Sequence, residues 1–236
     1  MFGVKRFIGK IEGTVAFVEG EELVHLKSVL RLKEGDEVCV VNGDGKDYLG
    51  KISKIDKNYA KVDVISSKIS EICPKNDISL FIAATKREKL EIIVQKAVEL
   101  GVKKLFMFES EFSTMKLSSE KISRYEKIMF SATKQCERAD FMSIEIVSFK
   151  QMLALFGKKQ TKLFANEREG EDFNFASLKT AKDIGILIGC EGGFSQNEKA
   201  QILQLKPENI SLGQRILRAE TAAILLTGMA SIISGN

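Results

Sequence analysis

From Ile78 onward the chain alternates short, continuous apolar runs with segments of helical periodicity, and this alternation restricts the fold more than any other feature. Ile78 to Ala84, Lys104 to Phe108, Ile144 to Val147, Leu163 to Asn166, Ile184 to Ile188 and Ile210 to Leu212 read as strands. Between them lie helical stretches opening at Thr85, Ser119, Phe149, Ser195 and Arg218. Strands that alternate with helices build a parallel sheet covered on both faces. Thr85 with Glu88, and Ser195 with Glu198, have the spacing of a capping box. Gly101 ends the first of these helices and Pro207 bounds the one that opens at Ser195.

The preceding residues follow another pattern. Val4 to Ile8, Thr14 to Val18, Glu37 to Val41, Tyr48 to Ile55 and Tyr59 to Ile65 are strand-like, punctuated by turn signals such as Asn42-Gly43 and Asp44-Gly45. One helix, Glu21 to Arg31, interrupts them, with Leu23, Leu26 and Leu30 at helical spacing. A barrel of five or six strands is the simplest way to close such short strands without open edges. Ser66 to Asp77 is polar and holds Pro74, so the chain divides into a β domain over residues 1–70 and an α/β domain over residues 71–236.

Composition excludes several classes. With 44% hydrophobic and 29% charged residues the chain has an ordinary globular balance, and no apolar run is long enough to span a bilayer. The N-terminal apolar stretch is too short for a secretory signal, which implies a cytoplasmic protein. Cys39, Cys73, Cys136 and Cys190 form no C-x-x-C pair, and His25 is the single histidine, so neither structural zinc nor a disulfide framework is expected. A net charge of +4 is compatible with a nucleic-acid partner but does not require one.

The candidate site lies near the C-terminus. Gly189, Gly192 and Gly193 follow the strand ending at Ile188, and Gly213 follows the strand ending at Leu212. Glycine lets backbone turn sharply or approach a ligand without a Cβ in the way. Ligands in open α/β sheets bind beyond the carboxyl ends of the strands, and Leu163 to Glu167, Gly189 to Gly193 and Leu212 to Leu217 are three such ends. Glu191, Arg215, Arg218 and Glu220 stand beside them, where an unpaired charge is costly. A nucleotide-phosphate site competes as an explanation, yet neither G-x-x-x-x-G-K-[ST] nor G-x-G-x-x-G is present, and Glu191 would repel a phosphate.

Gly189-x-Glu-Gly-Gly-Phe-Ser195 followed by Leu212-Gly-x-Arg-Ile-Leu-Arg-x-Glu-Thr-Ala222 resembles the paired signature of the ribosomal small subunit methyltransferase E family, 16S rRNA uridine-N3 methyltransferases of the SPOUT class. Lys86-Arg-x-Lys-x-Glu-x-Ile-x-x-Lys-Ala-x-Glu-Leu-Gly-Val102, Gln135-Cys-x-Arg138 and His25-x-x-x-Val-Leu-Arg31 resemble further family segments in the same order. The sequence departs from the family pattern at Cys190, where proline is usual, and at Phe112, where arginine is usual. The resemblance implies a PUA-like RNA-binding barrel followed by a knotted SPOUT domain, whose trefoil knot is an exception to the rule that chains are unknotted. It implies S-adenosylmethionine as cofactor, held by Leu163, Asn166, Glu167, Ile188, Gly189, Gly192, Gly193, Leu212, Gly213, Ile216 and Leu217. It also implies a homodimer in which each RNA site is completed by the partner, acting on 16S rRNA of the small subunit.

Methyl transfer from an already activated donor needs alignment and control of the uridine N3 proton more than covalent help. Arg215 and Arg218 are candidates to stabilise charge on the uracil, and Glu191 to accept the proton or orient an arginine; the competing explanation is a structural ion-pair lattice. Arg6, His25, Arg31, Lys86, Arg87 and Arg138 are the candidates for RNA contact. For the dimer, the helix Ser119 to Glu137 offers the stripe Ile122, Tyr125, Ile128, Met129, Ala132 and Cys136, and the helix after Arg218 offers Gly228, Ala230 and Ser231. The alternatives are a SPOUT enzyme acting on another RNA or base position, and a non-catalytic RNA-binding module.

Overall fold

The computed structural model describes residues 4–166, 170–172 and 176–236. Two compact units result: Met1–Cys73 with Thr133–Phe141, and Pro74–Ala132 with Met142–Asn236.

In the first unit, β1 (Lys5–Ile8), β2 (Lys10–Glu12), β3 (Val15–Glu19), β4 (Glu37–Val41), β5 (Lys46–Ile55) and β6 (Tyr59–Ile69) form one six-stranded sheet in the order β1-β4-β5-β6-β3-β2. β1 and β2 occupy opposite edges yet are joined by Gly9 alone, so the sheet has to curl until its edges meet. At that seam a Cβ on Gly9 would stand 2.5 Å from the Phe17 carbonyl oxygen and 2.7 Å from Val40 Cγ1, which leaves room only for glycine. The interior is filled by Phe7, Val18, Val38, Val40, Ile52 and Val62, the inward-facing alternate residues of the strands. The expected single helix over Glu21 to Arg31 divides into α1 (Gly20–Val24) and a π-helical turn over His25–Val29. Leu23 and Leu26 plug the barrel from this segment, and Arg31 ends it with a φ of 53°.

Residues 133–141 pack on the outside of β4, where Ala139 and Phe141 cluster with Cys39 and Val41. The Phe141 ring lies where a Cβ of Gly43 would be, and the Gly45 amide donates to the Ala139 carbonyl at 3.1 Å. The helix expected whole over Ser119 to Glu137 therefore begins in the second unit and ends in the first.

In the second unit, β7 (Asp77–Ala83), β8 (Lys104–Phe108), β9 (Ser143–Val147), β10 (Thr161–Ala165), β11 (Glu171–Asp172), β12 (Asp183–Ile188) and β13 (Glu208–Ser211) form a seven-stranded sheet in the order β11-β13-β10-β12-β7-β8-β9, with every pairing parallel. Helices α2 (Arg87–Glu99), α3 (Ile122–Gln135), α4 (Phe149–Gly157), α5 (Gln196–Gln204) and α6 (Ala219–Ser234) connect and cover the strands. On one face Phe81, Phe106, Phe108, Phe164 and Phe194 pack with Met152 and Phe156 of α4 and Ile202 of α5. On the other, α6 lies against α2, β7 and β12. β13 sits on the far side of β10 from β12, so the chain leaving β13 crosses back past two strands before α6 is laid down.

Local capping follows the sequence at one expected place and not at the other. Ser195 and Glu198 form the reciprocal capping box of α5. Thr85 does not cap α2: the N-cap is Lys86 without a side-chain bond, because the Thr85 hydroxyl is used by Glu191. Of the α3 stripe expected to serve both a core and a partner, Tyr125, Met129 and Ala132 are buried and Ile122, Ile128 and Cys136 are partly exposed. Among the described residues no helix is long and apolar enough to cross a membrane.

Candidate active site

The carboxyl ends of β10, β12 and β13 converge, as parallel strands do at the end where their connecting loops gather. They enclose a cavity of about 470 Å³, lined from β10 by Phe164 to Asn166, from β12 by Ile188 to Phe194, and from the start of α6 by Ile216 to Ala219 and Ala222, with Lys199 of α5. That volume lies in the range of small-molecule sites, and the lining is the usual mixture of apolar wall and a few polar groups.

The glycine loop is a tight turn in which the Gly193 amide donates to the Cys190 carbonyl at 2.9 Å. Gly193 adopts a φ of 69°, and no atom lies within 4 Å of where its Cβ would be, so its cavity side is open backbone. Gly192 is needed for a different reason: its Cβ would meet Phe112 Cβ at 2.8 Å. The segment after β8 is thus clamped to the glycine loop, and Cys190 adds to the clamp through an Sγ donation to the Phe112 carbonyl at 3.1 Å. Glu198 completes it, accepting from the Ser195 amide at 3.0 Å with one oxygen and from the Glu111 amide at 2.9 Å with the other. On the opposite wall Asn166 is buried; its amide donates to the Ile210 carbonyl and its carbonyl accepts from Gly170, both at 2.9 Å.

At the mouth, Glu191 accepts a short hydrogen bond from Thr85 on Oε1, and Lys89 Nζ stands 3.0 Å from the same oxygen. Lys89 also reaches Glu220 Oε2 at 3.3 Å, an ion pair without hydrogen-bond alignment. Burial pushes the Glu191 carboxyl upward, but hydrogen bonds from Thr85, its own amide and Lys89 outweigh it and hold the group below the usual carboxylate range. Glu191 is therefore an anion at neutral pH and binds a lysine rather than an arginine. Arg215 and Arg218 are exposed and pair with no carboxylate among the described residues; Arg218 lines the cavity and Arg215 does not.

Of the expected cofactor residues, Asn166, Ile188, Gly189, Gly192, Gly193, Ile216 and Leu217 line the cavity. Leu163 is buried beneath it, Leu212 and Gly213 lie outside the lining, and Glu167 falls outside the described residues. Phe164, Phe194, Lys199 and Ala222 line it without having been singled out. Phe164 and Phe194 are indistinguishable by sequence from core aromatics, which they also are.

Two of the RNA candidates are structural instead. Arg6 is bound to Asp47 at 2.6 Å with little solvent access. Burial, the largest influence on its guanidinium, works downward and is overcome by Asp47, which leaves the pKa raised. Arg138 is 2% exposed and holds both oxygens of Asp140 at 3.1 and 2.8 Å. A basic residue in a polar stretch reads as surface, and only the fold reveals its buried carboxylate. His25 is half-buried beside Phe7, whereas Arg31, Lys86 and Arg87 are exposed.

Sequence and structure comparisons agree with this architecture. The RNA methyltransferase domain family matches residues 73–231, and the RNA methyltransferase PUA domain family matches residues 18–65. Ribosomal RNA small subunit methyltransferase E of Mesomycoplasma hyopneumoniae is 33% identical over 208 residues, covering 86% of this chain and 88% of its own length. The enzyme of the same name from Rickettsia conorii is 30% identical over 218 residues, covering 90% and 87%. Among solved structures, a Legionella pneumophila protein with the bound cofactor SAM superposes with a TM-score of 0.88 at 26% identity over 98% of both chains. A ribosomal RNA small subunit methyltransferase E from Neisseria gonorrhoeae, bound to S-adenosyl methionine, shares the fold with a TM-score of 0.86 at 22% identity over 95% of both chains.

A parallel α/β domain of the SPOUT class behind a PUA-like barrel, with a cavity at the glycine-bearing strand ends, defines an RNA methyltransferase. Within that class, the chain belongs to the ribosomal RNA small subunit methyltransferase E family.

Proposed function

We propose that the protein transfers a methyl group from S-adenosylmethionine to N3 of a uridine in 16S rRNA of the small ribosomal subunit. The observation that carries this reading is the cavity at the ends of β10, β12 and β13, in a chain of this family. Its volume suits a nucleoside-sized ligand, and Gly193 presents open backbone where a side chain would intrude. Asn166, Ile188, Gly189, Gly193, Ile216 and Leu217 would hold the cofactor, which supplies an electrophilic methyl on its sulfonium. The protein's own work is alignment and electrostatics. Arg218 at the cavity, and Arg215 three residues before it, are exposed cations that pair with no carboxylate among the described residues, and would serve the phosphates of the target nucleotide and the uracil as N3 loses its proton. Arg31 and Lys86 are exposed cations available to further phosphates, and Arg87, also exposed, would have to leave Glu88 and Glu91, each 3.7 Å away, to join them.

The reading includes a homodimer, a target presented by the assembled small subunit, RNA contact by the barrel, and a cytoplasmic location, where that subunit is found. For the dimer, α6 supplies support. From Thr221 to Ser234 it carries no charged residue, yet Leu225 is 42% and Ile232 79% exposed, an apolar face suited to a second copy. The test uses assembled subunits and naked rRNA lacking the modification, labelled cofactor, and digestion to nucleosides. Label in N3-methyluridine is the expected result. Label at C5 or a ribose oxygen would move the chemistry elsewhere, and no label in either substrate would overturn the reading.

A further inference from the structure

Thr85, Lys89, Glu191 and Glu220 come from three separate elements and meet at the cavity mouth, and no step described so far uses Thr85 or Lys89. Thr85 is fully buried, and its hydroxyl forgoes the cap of α2 to donate to Glu191. Lys89 joins the glycine loop to α6 by holding Glu191 and Glu220 together. Both Thr85 and Lys89 bind the same oxygen of Glu191, Oε1. Apart from the residue's own amide, no described residue pairs with Oε2. The side chain keeps partial solvent access while the inner wall, Phe164, Asn166, Ala219 and Ala222, is buried. Glu191 therefore faces what arrives from solvent rather than what fills the depth of the cavity.

Resting on the proposed reaction, we infer that Glu191 is the residue that selects uridine, offering Oε2 as a fixed anionic acceptor to the N3–H of the target base, with Thr85 and Lys89 as positioning residues that hold it. Uracil presents a donor at N3 and cytosine presents a lone pair. A carboxylate that is only an acceptor pairs with the first and repels the second; a protonated carboxyl would read cytosine equally well. Keeping the group ionised is thus part of the selection, and the cation and hydroxyl on Oε1 do so. The charged groups around it are Lys89 of α2, Glu220 of α6, and Arg218 and Lys199 of the cavity lining. The proton leaves N3 first, by way of the acceptor to water; the electron pair it frees on N3 then forms the bond to the methyl carbon, and the carbon–sulfur bond breaks with its electron pair left on sulfur.

The target nucleotide is first mapped from the wild-type product, and reconstituted subunits are then made with uridine or cytidine there. Wild type is expected to methylate only the uridine substrate. Glu191→Gln, which presents a donor as well as an acceptor, should lose about 100-fold in kcat/KM on uridine and begin to form N3-methylcytidine. Lys89→Met should lower kcat on uridine by about 10-fold or more, with KM for the subunit little changed, and raise the acid limb of the pH–rate profile; Lys89→Arg should recover most of the loss. A merely structural role would not move that limb. Calorimetry supplies an independent readout, since cofactor affinity of Glu191→Gln should stay within about threefold of wild type. A Glu191→Gln enzyme with wild-type rate and no activity on cytidine would overturn the assignment, as would a large loss of cofactor affinity, which would place Glu191 on the cofactor. A wild-type protein that binds cofactor but methylates neither substrate would overturn the proposed reaction itself.

Discussion

Gly170→Ala is expected to be the most damaging single-methyl change near the cavity. A Cβ at Gly170 would lie 2.3 Å from the Ile210 carbonyl carbon and from the Ser211 nitrogen, and 2.6 Å from the Asn166 oxygen. All three are backbone atoms of the strand ends that form the site, so no side-chain rotation relieves the overlap, and the segments must part by most of an ångström. Two hydrogen bonds lie in the path, Gly170 to Asn166 and Asn166 to Ile210, each 2.9 Å. Overpacking costs about 1–3 kcal/mol and each weakened bond about 1 kcal/mol, giving roughly 3–5 kcal/mol. For a domain of this size that lowers the melting temperature by roughly 6–20 °C. Because Asn166 is a wall of the cavity, the rise in melting temperature on adding saturating S-adenosylmethionine should shrink as well. Scanning calorimetry with and without cofactor measures both. The control is Gly157→Ala, whose Cβ would be 3.2 Å from the terminal Cδ2 of Leu205, a side chain able to shift, and which should change stability by no more than about 0.5 kcal/mol. A Gly170→Ala protein melting within about 2 °C of wild type would refute the reasoning.

Ser195→Ala removes one half of the α5 capping box and should cost about 1 kcal/mol by urea denaturation, while leaving Glu198 on the Glu111 amide. Arg138→Ala should act on stability rather than on RNA affinity, losing about 3 kcal/mol because Asp140 is left half-desolvated without its cation; an unchanged melt with weakened RNA binding would reverse that assignment. Burial raises the Asp77 carboxyl, but Lys104 and Lys159 prevail and hold its folded pKa below the unfolded value of 3.8. Its stabilisation is therefore complete above that value and lost as pH falls through the lower folded pKa, so Asp77→Asn should flatten the acid end of a stability profile measured between about pH 2 and 6. Ile232→Arg on the exposed face of α6 should convert the sedimenting species from a dimer to one near 26.3 kDa, and a wild-type protein already at that mass would remove the dimer from the reading.

Six of the seven strands of the α/β domain were legible because a strand buried on both faces reads as a nearly continuous apolar run: six of the seven residues of β7 are buried, and the run is readable without knowing its neighbours, whereas the two-residue β11 carries no such signal. The Ser195 capping box and the glycine turn at Gly193 were legible because their partners are three residues away. What only tertiary structure decided was every partnership across long separations. Thr85 has the spacing of a cap but serves a carboxylate 106 residues on. Gly9 reads as an ordinary glycine until the two edges of one sheet are brought together at it. Arg6 and Arg138 read as surface cations until Asp47 and Asp140 pair with them, and Cys136 and Glu137 read as the end of a helix that instead stops at Gln135, before Ala139 and Phe141 dock on β4. Periodicity and capping are set by interactions within a turn or a strand, which the order of residues records directly. Which carboxylate holds which cation, and which loop clamps the glycine turn, depends on the crossing of chain segments that meet only when the sheet is complete.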